Sequence, residues 1–500
     1  MAMGGRAGRF AGGRSGGAAD TALGHPPDAP ARPDSSVTAR LAAWAAGFGV
    51  EGTPDDLDAV VRHRLLDYAA NLLGGADQPS VVRLVRYVRR YPGEVPLPDG
   101  SSTSPDGAAL VYGAAAHAIE SDDTHQPSSS HPGAVVFSTV LPLALADGVG
   151  WPSVVRATIV GYEVMGRIGR ASGTAGEYAR GFHPTGTVGA FGAAAAAGVL
   201  LGADVEQLTD ALGIAGSLSS GSMSYLTNGS WTKHLHPGWA AHGGIIAAAL
   251  AVDGYRGPDR VLERPHGYFA GHSDVPDPAA ALAFLGSPPY VIERTSLKAH
   301  GCCRYEQAAI DAILELRRQY EVVPDDVARV RVGVLGAGWD IVAAPADRKR
   351  RPANSVDAQF SMPFGAAVAL LYGKASRHEH TDAHVRDPRV ISLMDRVECF
   401  VDPSLDAEFP AKWPAVVELR LRDGREVSVR VDHPKGDPEN PLTFEEVGGK
   451  LHEVASVVDE QARTTVIEAV RALPQSGDLA GVRDGLVAAW PRGTTSRRRV

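Results

Sequence analysis

The sequence predicts a mainly α protein: a large all-helical domain with a smaller α+β domain inserted before the C-terminal helices. Three observations carry that prediction. The 500 residues are 44% hydrophobic but only 6% aromatic, with alanine supplying much of the apolar content, which suits close-packed helices of small side chains better than a β-sandwich core. Apolar residues recur at helical spacing almost continuously from Ser36 to about Pro289. Beyond about residue 290 short alternating runs replace that pattern, and helical periodicity returns near the C-terminus. The expected divisions are a Gly/Ala/Arg/Pro-rich tail over 1–35, a helical domain over 36–290 completed by 438–490, and an α+β domain over 291–437.

Taken in order, the tail opens MAMGGRAGRFAGGRSGGAAD, carries no acidic residue before Asp20 and then becomes Pro-rich, so it reads as a disordered extension. It lacks the apolar stretch of a secretory signal, although an Arg-rich, acid-poor start is also the texture of a transit peptide. Thr53-Pro54-Asp55-Asp56 supplies an N-cap, a proline at the first helical position and acidic residues in the first turn. Leu57, Val60, Val61, Leu65, Tyr68 and Leu72 follow at helical spacing until Gly74-Gly75, which is expected to stop the helix. Further helices are expected at 80–91, 107–119, 135–147, 152–171, 187–201, 204–215 and 238–253. The run Gly192–Gly198 is too apolar to face water and belongs to a central helix whose small residues allow close approach.

A helix at 304–319 then precedes a strand at 328–334, and 416–421 pairs with 426–431 across Asp423-Gly424, a strong hairpin signal. Thr443-Phe-Glu-Glu446 is a capping box from which helical pattern runs toward Leu473. If those last helices pack back on the first bundle, the smaller domain is an insertion, and the cleft between the two is the default ligand site.

Composition also removes function classes. Lys and Arg number 49 against 58 Asp and Glu, a net charge of −9, so no sequence-wide basic footprint for nucleic acid exists. The three cysteines, Cys302, Cys303 and Cys399, make neither a disulfide framework nor a CxxC metal or cluster motif, and a reducing, cytoplasmic compartment is expected. The longest apolar run, Ala190 to Ala203, is Gly-interrupted and shorter than the ~18 residues a membrane span needs, so a soluble chain with no membrane partner is expected. There is no GxxxxGK[ST], no strand-borne GxGxxG, no HExxH and no GxSxG.

What remains is a set of polar clusters beside Gly or Pro: His117 to His125, Ser130-His131-Pro-Gly133, Gly181-Phe-His183-Pro-Thr185-Gly186, Gly229 to Gly238, and Lys298 to Tyr305. Such positions are expected on loops or caps that a cleft gathers together. Their chemistry is acid–base work on a carboxylate. His131 and His183 are candidates for moving a proton near neutral pH. Lys233, Lys298 and Arg304 are candidates for holding carboxylates and stabilising the charge that builds when a carbon beside a carboxylate loses a proton. Glu120, Asp122 or Asp123 would orient a histidine, position water or tune a lysine. Each has a plainer reading. Asp122-Asp123-Thr124 caps helices, His-Pro-Gly and His-Pro-Thr-Gly make turns, Lys233 and His236 suit a cationic helix terminus, and Cys302-Cys303 suits packing. Arg83, Arg86, Arg89 and Arg90 suit a solvated helix face.

The succession HAIESDDTH, SHPGA, GYEVMGRIGR, GFHPTGTVGAFGAAAAAG, LGIAGSLSSG, GSWTKHLHPGWAAHGG, KAHGCCRYEQAAID and QFSMPFGAA closely resembles the MmgE/PrpD superfamily, over nearly everything from 36 to 475. That superfamily includes 2-methylcitrate dehydratase, cis-aconitate decarboxylase and iminodisuccinate epimerase. The resemblance implies a helical domain with a smaller α+β lid domain, a homodimer, and cofactor-independent chemistry without metal at the domain cleft. It carries Thr124, His131, His183, Lys233 and Lys298 over by motif, with His131 as main proton donor or acceptor and the lysines on carboxylates. Glu120 and Asp123 complete the expected catalytic group, and Thr124, Lys298, His300 and Arg304 the expected substrate-binding group. Glu120 stands where the family often has Asp, one methylene shorter. Ala299-His300-Gly301 stands where a proline is common, and Cys303 stands where the decarboxylase branch has a histidine.

The expectation is therefore a lyase, in the first place a dehydratase acting on a small hydroxy-polycarboxylate such as 2-methylcitrate. A cis-aconitate-like decarboxylase or an epimerase on a related dicarboxylate is the alternative. A metal-dependent hydrolase with ligands from His131, His183, His234, His236 and Asp123, and a non-catalytic binding protein, are the more distant alternatives.

Overall fold

The computed structural model describes residues 36–49, 53–263 and 265–490. The expected tail over 1–35 lies outside them. Helices dominate, and hydrophobic side chains gather in two main cores. One draws on residues from Val37 to Leu297 and again from Leu442 to Trp490. The other runs from Cys302 to Leu421, with Tyr225 reaching in from the helical part. The chain thus leaves the helical body, builds a second unit and returns, so that Phe444–Val454 and Glu460–Ser476 pack against Asp55–Gly75.

At the centre of the helical part lies Gly189–Leu200, buried along its whole length up to Val199. It is surrounded by Pro132–Asp147, Trp151–Ser172, Val205–Leu218 and Thr232–Val252. A helix apolar on every side has no face to offer water, so it takes the middle. Close approach is enforced where Pro105–His117 crosses Thr232–Val252: a Cβ on Gly113 would stand 2.5 Å from the backbone nitrogen of Gly238, and one on Gly238 would stand 2.1 Å from the carbonyl oxygen of Leu110. Prolines open the helices Pro79–Val88, Pro105–His117 and Pro132–Asp147, where their missing N–H costs nothing. The capping box at Thr443 and Glu446 forms with both hydrogen bonds.

Two local expectations differ from the structure. The helix over 55–75 begins at Asp55 with Pro54 in the cap position, and Thr53 makes no capping bond. That helix ends at Gly75, where the glycine pair is expected to stop it, and the two glycines also serve packing. They let it lie against Pro105–His117, the Ala115 carbonyl oxygen standing 1.9 Å from where a Cβ of Gly75 would be. The helix expected from residue 238 starts at Thr232 and runs through Pro237. Pro237 is near enough to the start that only the carbonyl of Lys233 loses an intrahelical partner, and Lys233, His234 and His236 therefore ride on a helix and not on a loop.

The second unit is built on a four-stranded sheet in the order Val397–Val401, Val327–Val334, Ala415–Leu421, Glu426–Val431. The first two pair in parallel and the rest antiparallel. Gly424, at φ 93°, makes the hairpin turn after Asp423. Gln307–Tyr320 packs on the hairpin strands and Met362–Tyr372 on that helix. A pairing that the sequence did not announce lies where the chain leaves the helical part: Thr124–His125 runs antiparallel to Thr295–Ser296. Among the described residues, no helix is long and apolar enough to cross a membrane.

Candidate active site at the junction of the two units

The two-residue ladder between Thr124 and Ser296 sets the site. It fixes the acidic segment that follows helix Pro105–His117 beside the segment leading to Lys298. Lys298 is fully buried, and its Nζ reaches the Glu120 carbonyl at 3.2 Å, Glu120 Oε2 at 3.3 Å and Asp122 Oδ1 at 3.5 Å. From the first turn of Thr232–Val252, the Lys233 ammonium makes a close contact with Glu120 Oε1. One carboxylate thus bridges two buried ammonium groups. Glu120 does so from a left-handed backbone, φ 53°, which is uncommon for a residue other than glycine. Burial alone would raise its pKa, but Lys233 and Lys298 overcome that and hold it ionised, well below the usual range. Burial lowers the Lys233 pKa against the pull of Glu120, whereas Glu120 and Asp122 outweigh burial at Lys298 and raise it.

Three imidazoles face this group. His131 sits in the cap position before Pro132–Asp147, and its Nδ1–H donates to the Asp123 carbonyl at 2.7 Å. Nε2 is then the lone-pair nitrogen. Burial pushes its pKa well down, opposed by Asp122 and assisted by Lys298, so the resting ring is neutral. His183 caps Pro184–Thr187, and its Nδ1 lies 2.9 Å from Nδ1 of His236. His117, at the end of its helix and fully buried, donates from Nδ1 to Asp122 Oδ2 at 2.6 Å. Its Nε2 has no partner. The ring of His117 lies 4.8 Å from that of His131 and 5.8 Å from that of His183.

Thr124, His131, His183, Lys233, Glu120 and Arg304 all line one narrow cavity of about 40 Å³, closed on the second-unit side by Tyr305, Phe360 and Trp413. Four expected site residues are placed differently. Lys298 does not line the cavity and reaches it only through Glu120 and Asp122. The Asp123 carboxylate turns away, accepting from Gly133 N at 2.9 Å and from the Tyr162 hydroxyl at 2.7 Å, and the position against histidine goes to Asp122. His300 Nε2–H donates to Asp311 Oδ1, 2.8 Å away within the second unit, and does not line the cavity. Arg304 lines it, but its charge is taken by Asp437 at 2.6 Å. The cationic pocket expected from Lys233, Lys298 and Arg304 is therefore balanced by Glu120, Asp122 and Asp437. Cys302 and Cys303 are buried thiols whose pKa burial raises, Cys303 to about 12, as suits packing.

Two residues of the site escaped sequence reasoning. His117 looked like one letter of an acidic cluster, and only its helix end aims it at Asp122. Lys450 lies far along the chain on Phe444–Val454, where its spacing is that of any amphipathic helix. It holds Asp67 Oδ1 at 2.6 Å, the Ser121 carbonyl at 2.5 Å and the Lys298 carbonyl at 2.8 Å.

His117, His131 and His183 each bring a ring nitrogen within 4.8 Å of the others. Two ammonium groups stand beside them, and Glu120 and Asp122 are already engaged, so the surroundings suit an anionic organic ligand better than a dication. Of the alternative metal ligands, His234 and His236 do not converge. His234 and His236 are two apart on one helix and point to opposite faces, His234 to Ser80 at 3.0 Å and His236 to His183.

The descriptions MmgE/PrpD N-terminal domain and MmgE/PrpD C-terminal domain match residues 39–281 and 300–475. A cis-aconitate decarboxylase-like protein of Aspergillus oryzae is 27% identical over 478 residues, covering 90% of this chain and 96% of that protein. A cis-aconitate decarboxylase of Aspergillus terreus is 27% identical, covering 87% of this chain and 92% of its own length. The 2-methylcitrate dehydratase of Escherichia coli is 25% identical, over 47% of this chain and 50% of that enzyme.

Proposed function

The chain belongs to the MmgE/PrpD family, and from that premise we propose that it is a lyase which forms a carbanion or enolate beside a carboxylate of a small di- or tricarboxylic acid. The observation that carries this reading is the buried group in which a neutral His131, its Nε2 free, faces the ammonium groups of Lys233 and Lys298. The lysines hold substrate carboxylates and stabilise the charge that develops next to them, in surroundings where ammonium groups act more strongly than in water. His131 moves the proton. An arriving carboxylate has to share or displace Glu120, because that side chain occupies both lysines. The cavity of about 40 Å³ has room for one or two waters, so the second-unit side chains over it move aside when the acid is admitted.

Of the two lyase reactions, loss of CO₂ has the fuller support from the relatives, since the decarboxylases align with nearly the whole chain. In that case the C–CO₂ bond breaks, the electron pair passes to carbon, and His131, protonated at Nε2 once the acid's charges are in place, supplies the proton. Loss of water from a hydroxy acid is favoured by the site itself. The neutral His131 is already a base for a C–H proton, and His183 across the cavity is placed to protonate the departing hydroxyl. Cys303, where the decarboxylase branch has a histidine, points the same way. A panel of hydroxy-, keto- and unsaturated di- and tricarboxylates followed by NMR in D₂O tests both: the product separates CO₂ from water loss, and deuterium at one carbon reports the proton transfer. His131→Ala and Lys233→Ala proteins that fold normally yet keep full turnover would overturn the assignment.

A further inference from the structure

His236 has no part in the chemistry described so far beyond holding the His183 ring, yet the geometry of the pair does more than that requires. The two Nδ1 atoms lie 2.9 Å apart. One of them must carry a proton and the other must not, because two N–H groups would collide and two lone pairs would repel. The partner of His183 is thus a group with a second titratable nitrogen, not a carbonyl or carboxylate. His183 lines the closed cavity. His236 does not, and it lies under the segment that carries the exposed Ser220 and Ser222, with the α-carbon of Gly221 against it. A Cβ on Gly221 would stand 3.6 Å from His236 Nδ1, so this segment lies beside the paired nitrogens. His236 keeps 8% of its surface, and its Nε2, unlike those of His117 and His234, is not sealed off without a partner.

We propose that His183 and His236 form a two-imidazole relay that exchanges the proton of the closed active site with solvent. In the inward direction a solvent proton binds His236 Nε2, the proton on His236 Nδ1 crosses to His183 Nδ1, and His183 Nε2 releases its own into the cavity. Only N–H bonds form and break, one proton enters and one is delivered. Both rings end in the opposite tautomer, and outward passage of a proton from the cavity restores them. A lyase cycle that removes one proton and delivers another uses both directions. Charge does not rest on the pair: His183 faces Lys233, His117, His131 and the Tyr225 ring, and His236 faces Lys233, His117, His234 and the same tyrosine. Burial and these neighbours keep both rings neutral, so a proton passes through without being stored.

The inference rests on the lyase reading, and its test separates the two. In the resting protein, ¹⁵N-histidine NMR is expected to show a coupling across the hydrogen bond between His183 and His236; its absence overturns the relay whatever the protein turns over. With any acid found to react, His236→Asn keeps a hydrogen-bonding group against His183 but has no second nitrogen. Its kcat is expected to fall about tenfold or more at low buffer concentration with KM little changed. In His236→Ala, added imidazole is expected to restore kcat, while the unaltered protein ignores it. Wild-type kcat in His236→Asn overturns the relay. So does a loss that imidazole cannot restore and that raises KM in parallel, since that is the mark of a structural pair. If the coupling is present but no acid reacts, the functional reading fails and the paired rings stand.

Discussion

Lys450→Met is the most searching perturbation of this architecture. Lys450 comes from the returning C-terminal helix and is 8% exposed, and its ammonium binds the Asp67 carboxylate and the carbonyls of Ser121 and Lys298. Those three lie on helix Asp55–Gly75, in the acidic segment and in the segment beside the second unit, so one charge ties together the parts that hold Glu120 and Lys298. Methionine fills nearly the same volume and leaves Asp67, 2% exposed, with its bond to Asn71 but no ammonium. Removing one partner of a buried ion pair costs about 3–5 kcal/mol. Burial already raises the Asp67 pKa despite Lys450 and Arg64. Without Lys450 it rises further, so the cost is largest at neutral pH and shrinks as acid protonates Asp67. Denaturant or thermal unfolding from pH 5 to 8 reads the stability, and turnover reads the site, where a displacement near 1 Å lowers kcat by up to about 100-fold. Adding Asp67→Asn removes the stranded charge and is expected to recover part of the stability but not the turnover. A cost below about 1 kcal/mol together with unchanged kcat would refute the reasoning.

Two further outcomes follow from single contacts. Burial raises the Asp123 pKa from 3.8 to about 7, so between these values the folded protein keeps a proton that the unfolded chain has lost, and stability declines as pH rises. Asp123→Asn has no such proton; the melting temperature of the wild type relative to this variant should fall from pH 4 to 7 and then level off, and a flat difference would contradict the assignment. Gly113→Ala places a methyl group 2.5 Å from the Gly238 backbone at the crossing of two central helices, and chemical denaturation is expected to show a loss of about 3 kcal/mol, whereas Gly181→Ser, which meets open space but has φ 77°, should cost only backbone strain.

Much of the protein is legible in one dimension because its determinants are local. Helical periodicity, proline starts, the Thr443–Glu446 box and the Asp423-Gly424 turn are settled within a few residues of chain, and the structure contains each of them. So are the acid–base residue types, since His, Lys and acidic side chains beside Gly and Pro occur in few other arrangements. Partner choice is not local. Sequence spacing gives Asp122 and Asp123 equal claim on a histidine, and the turn of the chain alone sends one to His117 and the other to Tyr162. It counts Lys233, Lys298 and Arg304 as an uncompensated positive pocket, but Glu120 and Asp437 balance them once the chain is folded. It reads Gly74-Gly75 correctly as a stop, because a glycine's cost to a helix is visible in the sequence, but it does not show the neighbouring helix that requires the missing side chain. The amino-acid sequence by itself determined the helical class and the chemistry available. Only the tertiary structure decided which charges meet, because the contacts of Lys233 and Lys298 with Glu120 and of Lys450 with Lys298 join segments more than 100 residues apart, whose energies no local pattern encodes.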